Sequence, residues 1–130
     1  MRVSKYRGDW KKRVFRVTPE QRFAIVDIAN ALNITADGVA RLALRFLARS
    51  RGLDLPGWEP VAPASILAFA QGTMGPQPRT WMHYRESWLP VFEKLCHDGS
   101  RTFGSTVREA ITAFHGAGAE TWRAVLSTPA

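Results

Sequence analysis

Long apolar runs are missing from this chain. None approaches the ~18 residues of a membrane span, although 45% of the 130 residues are hydrophobic, enough for a single core. The start, Met1-Arg2-Val3-Ser4-Lys5-Tyr6-Arg7, is basic with no apolar stretch behind it, so no secretory signal is expected. Cysteine is nearly absent too: Cys96 alone cannot form an internal disulfide, which suits a reducing, cytoplasmic setting. Its place on an apolar stripe reads as core. Histidine occurs three times, at His83, His97 and His115, without the close spacing of metal ligands. A glycine-rich phosphate loop and a paired-carboxylate signature are both lacking. Enzymatic chemistry, a metal and a cofactor are therefore not expected.

What is present is positive charge, unevenly spread. The chain carries a formal +7, yet residues 1–52 hold 12 Lys/Arg against 4 Asp/Glu, and residues 53–130 hold 6 against 7. The excess is densest in residues 1–16, where Arg2, Lys5, Arg7, Lys11, Lys12, Arg13 and Arg16 face Asp9 alone. A basic arm leading into a basic strand is the electrostatic footprint of a polyanion binder. A solubilising tail is the plainer reading of the same charge.

A second positive feature is repetition. Lys12-Arg13-Val14-Phe15-Arg16-Val17-Thr18 is followed by two apolar-periodic stretches separated near Thr35; Arg79-Thr80-Trp81-Met82-His83-Tyr84-Arg85 is followed by two more separated near Thr102. Thr18 precedes Thr35 by 17 residues, and Arg85 precedes Thr102 by 17. Each copy reads strand, helix, turn, helix, a unit too small to bury its own apolar face, so the two copies are expected to complete each other.

Alternation places Arg13, Phe15 and Val17 on one strand face, with Lys12, Val14 and Arg16 on the other; in the second strand Thr80, Met82 and Tyr84 oppose Arg79, Trp81, His83 and Arg85. Thr18-Pro19-Glu20-Gln21 has the cap, N1 proline and capping-box partner of a helix start, and Ile25, Ile28, Ala29 and Leu32 supply its stripe. Thr35 caps the next helix, whose stripe is Val39, Leu42, Ala43, Phe46 and Leu47. Arg41, Arg45 and Arg49, four apart, read as its solvated face. Ser87 is the expected cap before Trp88, Val91, Phe92, Leu95 and Cys96, and Thr102 the cap before Phe103, Val107, Ala110, Ile111 and Phe114. The Pro- and Gly-rich connector, residues 53–78, is expected to pack through Trp58 and Phe69, with a short helix over 64–71. Ala119 to Leu126 adds a terminal helix.

Strand, helix, turn and helix in about 40 residues resembles the ribbon-helix-helix (MetJ/Arc/CopG-type) superfamily of DNA-binding proteins. The likeness is best in Val39-Ala40-Arg41-Leu42-Ala43-Leu44-Arg45-Phe46-Leu47 and Thr106-Val107-Arg108-Glu109-Ala110-Ile111-Thr112-Ala113-Phe114. Two copies in one chain are similar to the arrangement in TraY-like relaxosome accessory proteins of conjugative plasmids. The resemblance implies a mainly α fold with a two-stranded antiparallel β-ribbon, a tandem ribbon-helix-helix pseudo-dimer in a single chain. Its parts would be a basic arm (1–10), a first unit (11–52), the connector (53–78), a second unit (79–116) and a C-terminal extension (117–130). It covers about 75 residues, leaving out the connector and the C-terminus.

On that resemblance the ribbon enters the major groove of double-stranded DNA. Lys12, Val14 and Arg16 from one strand, with Arg79, Trp81 and His83 from the other, would read bases. Lys5, Arg7 and Lys11 would hold phosphates, as would the helix N-termini at Thr35, Ala36, Thr102 and Phe103. An ordinary solvated sheet face is the bland alternative for Lys12, Arg16 and Arg79.

The expected function is sequence-specific duplex binding, as a plasmid relaxosome accessory protein with a relaxase or other protein partner, or as a transcriptional repressor. The chain would be cytoplasmic, bacterial or phage-encoded, without a membrane partner, and a monomeric pseudo-dimer able to assemble further on DNA. A small phage or plasmid protein-interaction module, for example a host-defence inhibitor, is the alternative from another class. An antitoxin ranks below both, because the second half reads as folded.

Overall fold

The computed structural model describes residues 9–64, 79–96 and 102–128. Two strands, β1 (Trp10–Arg16) and β2 (Arg79–Arg85), form the single sheet among these residues. They run antiparallel in the register Lys12↔His83, Arg13↔Met82, Val14↔Trp81, Phe15↔Thr80 and Arg16↔Arg79. Among the described residues five α-helices follow the strands: α1 (Pro19–Leu32) and α2 (Ala36–Ser50) after β1, then α3 (Leu89–Leu95), α4 (Phe103–Ala117) and α5 (Ala119–Ser127) after β2. The protein is thus mainly helical with a two-stranded antiparallel sheet. The short helix expected over 64–71, and with it Phe69, falls outside the described residues from residue 65 onward.

The helix starts follow their sequence signals. The Thr18 hydroxyl accepts from the Gln21 amide at 3.1 Å, and the Gln21 side chain accepts from the Thr18 amide at 2.9 Å. This reciprocal box satisfies two first-turn donors that have no partner inside the helix. Thr35 accepts from the Gly38 amide, and Thr102 repeats the full box with Ser105. Asn33 ends α1 in the left-handed region at φ 56°, which frees the chain to turn into α2.

Ser87 does not play its expected part. Residues Glu86–Trp88 form a 3-10 turn, and the Ser87 amide and hydroxyl both donate to the Asp9 carboxylate, at 3.4 and 3.2 Å. Asp9 is 78 residues away in sequence and also takes the Arg85 guanidinium at 2.9 Å. That guanidinium holds the Asp9 carboxyl below the usual carboxylate range. The beginning of β1 is thereby pinned to the end of β2.

The core lies between the ribbon's inner face and the helices. Phe15 and Met82 point into it from the two strands, and Ile25, Ile28, Val39, Leu44, Trp88, Leu95, Ile111 and Phe114 fill it. Helix α2 runs through the middle, packed against β2, α1, α4 and α5. Because it is enclosed on nearly every side, Arg41 and Arg45 are buried, and the expectation of a solvated arginine face is corrected for both. Only Arg49 of that set is exposed, within 3.4 Å of Asp54.

Both buried arginines are accommodated by tryptophan faces. Arg45 lies 4.5 Å from the Trp58 ring centroid and donates to the Thr128 carbonyl at 2.8 Å, tying α2 to the end of α5. Arg41 lies 5.8 Å from the Trp10 centroid and 3.2 Å from the Asp37 carboxylate. A guanidinium is weakly hydrated and planar, so it enters such sites at less cost than an ammonium. Trp58 stacks on Trp88 at 5.7 Å, and the Trp88 indole donates to the Pro56 carbonyl at 2.7 Å, so this part of the connector packs as expected.

Candidate nucleic-acid interface

The register settles which strand residues share a face. Directly opposed residues lie on the same side of an antiparallel pair, so Lys12 with His83, and Val14 with Trp81, form consecutive pairs on the ribbon side away from Phe15 and Met82. Lys12 and Arg16 are exposed, Val14 is 53% exposed and Trp81 is 51% exposed. Arg79 stands opposite Arg16 in the register, and its side chain lies outside what the structure describes. Lys12 places its ammonium 5.5 Å from the Trp81 ring centroid. At ~3.4 Å per residue the three pairs span roughly 14 Å, about four base-pair steps of B-DNA.

His83 is half-buried, where Lys12, Val14 and Trp81 around it are exposed. Its backbone amide donates to Asp37 Oδ1 at 2.6 Å, and its ring Nδ1 lies 3.2 Å from Asp37 Oδ2. Asp37 sits in the first turn of α2 and is itself buried. Burial works against its charge, but the His83 ring, Arg41 and the His83 amide outweigh it and lower the carboxyl below its ordinary value. Sequence reading passed over Asp37; the available signal was its position four residues before Arg41, the spacing of a helical ion pair.

The two long-helix N-termini singled out in the sequence have unlike surroundings. At α2, Thr35 and Ala36 are half-buried beside the Asp37 carboxylate. A Cβ on Gly38 would lie 2.6 Å from Val61 Cγ1, so the connector closes over that turn. At α4, Thr102 is exposed and Phe103 half-buried beneath Arg13, whose guanidinium lies 4.8 Å from the Phe103 ring centroid. Arg108 reaches back along α4 to donate to the Arg16 carbonyl at 3.1 Å. One terminus therefore borders a carboxylate and the other two guanidinium groups.

Lys11 is exposed on β1, while Lys5 and Arg7 lie outside the described residues. Cys96 is half-buried with its sulfur 2.8 Å from the Thr106 hydroxyl, less enclosed than a core position. Among the described residues no group of three or more His, Cys, Asp and Glu side chains could hold a metal ion, and no single helix is long and apolar enough to cross a membrane. The chain matches no protein-family model, no curated protein and no solved structure.

Proposed function

We propose that this chain is a tandem ribbon-helix-helix pseudo-dimer that binds double-stranded DNA by laying its β-ribbon in the major groove. The observation that carries the reading is the register. Val14 and Trp81 are 67 residues apart, as are Thr35 and Thr102, and Val14 pairs with Trp81 itself. A two-fold relating the two copies requires each strand to meet its own counterpart at the middle. A pairing slipped by one residue would break that relation and turn every side chain over.

The packing supports the same reading. Helix α2 of the first copy lies against β2 of the second, and α4 of the second lies against β1 of the first. Each copy thus covers the strand of the other, which is how units too small for their own core can share one. The B-DNA major groove is wide enough for a two-stranded ribbon. Lys12 and Arg16 would reach guanine O6/N7 acceptors or phosphates, Arg79 stands at the matching position of β2, and His83 sits opposite Lys12 with its ring against Asp37.

The half-sites are unequal in this account. A phosphate at the α4 N-terminus would meet the helix dipole together with Arg108 and Arg13, whereas one at Thr35 and Ala36 would meet the Asp37 carboxylate. The basic arm, present once per chain, adds to the asymmetry through Lys5 and Arg7, as does Lys11 at the start of β1, and a non-palindromic target follows.

A relaxosome accessory protein and a transcriptional repressor share this chemistry; the position of the bound site, beside a nick site or over a promoter, separates them. The near-neutral second half and its half-exposed Trp81 also suit a protein partner, the basis of the alternative reading as a host-defence inhibitor. Arg16→Ala tests the duplex reading. It should lower affinity for the preferred duplex by about 1–3 kcal/mol while changing non-specific binding less, measured by titration against preferred and scrambled duplexes. Equal loss on both reduces Arg16 to a phosphate contact.

A further inference from the structure

Val14 and Trp81 leave a problem that the charged residues do not. They face each other between the Lys12–His83 and Arg16–Arg79 pairs of the outward face, 53% and 51% exposed, and form one apolar strip across a basic ribbon. Lys12 and Arg16 stand two residues away on β1, so the strip is bracketed by cations about 7 Å to either side. If those cations engage a polyanion, whatever faces the strip is pressed against it and loses its water.

The edges of the bases are not alike in what they tolerate there. Valine offers no hydrogen bond and the tryptophan indole only one donor. Every base pair presents polar groups there, adenine N6/N7 and thymine O4 as well as guanine O6/N7 and cytosine N4, and any of them held against the strip gives up hydration without replacement. The single apolar group exposed in the major groove is the C5-methyl of thymine. Charge complementarity calls for a polyanion, which the proposed function takes to be duplex DNA, and the strip's chemistry bears on what lies beneath its centre.

We propose that the Val14–Trp81 pair is a reader of thymine C5-methyl groups, selecting A·T pairs at the centre of the bound site. The proposal rests on the duplex-binding reading and sharpens it. The cations hold the ribbon in the groove, and the apolar centre chooses among base pairs by accepting a methyl and refusing a bare polar edge. Lys12, 5.5 Å from the Trp81 centroid, stiffens one side of the strip by holding the indole face.

The test changes only the methyl. The wild-type protein is titrated against its selected duplex and against the same duplex with the central thymines replaced by uracil. A third duplex carries cytosine at those positions, and a fourth 5-methylcytosine. Each methyl lost should weaken binding roughly fourfold, the worth of about one buried carbon, and 5-methylcytosine should bind better than cytosine. Trp81→Ala and Val14→Ala, both at exposed positions, should bind the thymine and uracil duplexes with more nearly equal affinity. Indifference to uracil, a uracil effect undiminished in both variants, or a selected site lacking A·T at its centre overturns this proposal alone. Equal binding of selected and scrambled duplexes overturns the duplex reading with it.

Discussion

Replacing Asp37 with alanine should both loosen the fold and alter its response to acid. The carboxylate takes the His83 amide at 2.6 Å, the His83 ring at 3.2 Å and Arg41 at 3.2 Å, joining the first turn of α2 to β2. Asp37 and Arg41 retain 10% and 7% of their side-chain exposure, so water replaces little of what is lost. Breaking a buried pair by removing one partner costs about 3–5 kcal/mol. Arg41 keeps its contact with the Trp10 ring, which lowers our figure to roughly 2–4 kcal/mol. For a chain of this length that is a fall in Tm of about 6–15 °C.

The sign of the pH effect follows from the direction of the shift. The folded carboxyl is held below its ordinary 3.8, so the unfolded chain binds its proton first as pH falls. The stabilisation is complete above the ordinary value and disappears as pH drops through the folded one. The gap in stability between wild type and Asp37→Ala should therefore shrink as pH falls from about 5 toward 3. Urea denaturation at several pH values measures it. A gap under about 0.5 kcal/mol, or one that stays level down to pH 3, would mean that this carboxylate does not tie α2 to β2.

Gly38→Ala should cost about 1–3 kcal/mol despite alanine's better helix propensity, because its Cβ meets Val61 at 2.6 Å; equilibrium unfolding checks it, and Val61→Ala in the same chain should recover most of the loss. Arg45→Lys should speed hydrogen exchange in α5, since an ammonium cannot both cover the Trp58 face and hold the Thr128 carbonyl as the guanidinium does. Phe114→Ala, a fully buried ring 5.4 Å from Phe46, should destabilise by about 3–5 kcal/mol in thermal unfolding. Arg108→Ala should weaken preferred and scrambled duplexes alike and reduce the salt dependence of binding by about one counterion, read from affinity against salt concentration.

The elements that sequence reading placed well are those whose signals are local. Thr18, Thr35 and Thr102 cap because a hydroxyl reaches an amide three residues on, and the strand alternation puts Phe15 and Met82 inward by the pleat alone. What escaped depends on distant partners. Arginines four apart have the same pattern on a wet helix face as on one covered by Trp10 and Trp58, and only the placement of β1 and of the connector decides between them. Ser87 looks like a cap until Asp9 claims its amide. The candidate base-reading residues of β1 were legible because alternation defines an outward face. The inequality of the two helix N-termini was not, since it comes from Val61 folding over Gly38 and from Arg108 reaching Arg16.

The most direct test of the central claim is selection of bound duplexes from a random DNA library, followed by titration of the winner and a scrambled control across a range of salt. A preferred, non-palindromic duplex should be bound on the order of 10³ or more times tighter than the control, with Arg16→Ala cutting that ratio. Winner and control bound equally, with the same steep salt dependence, would contradict it, leaving the ribbon as a basic surface that reads no sequence.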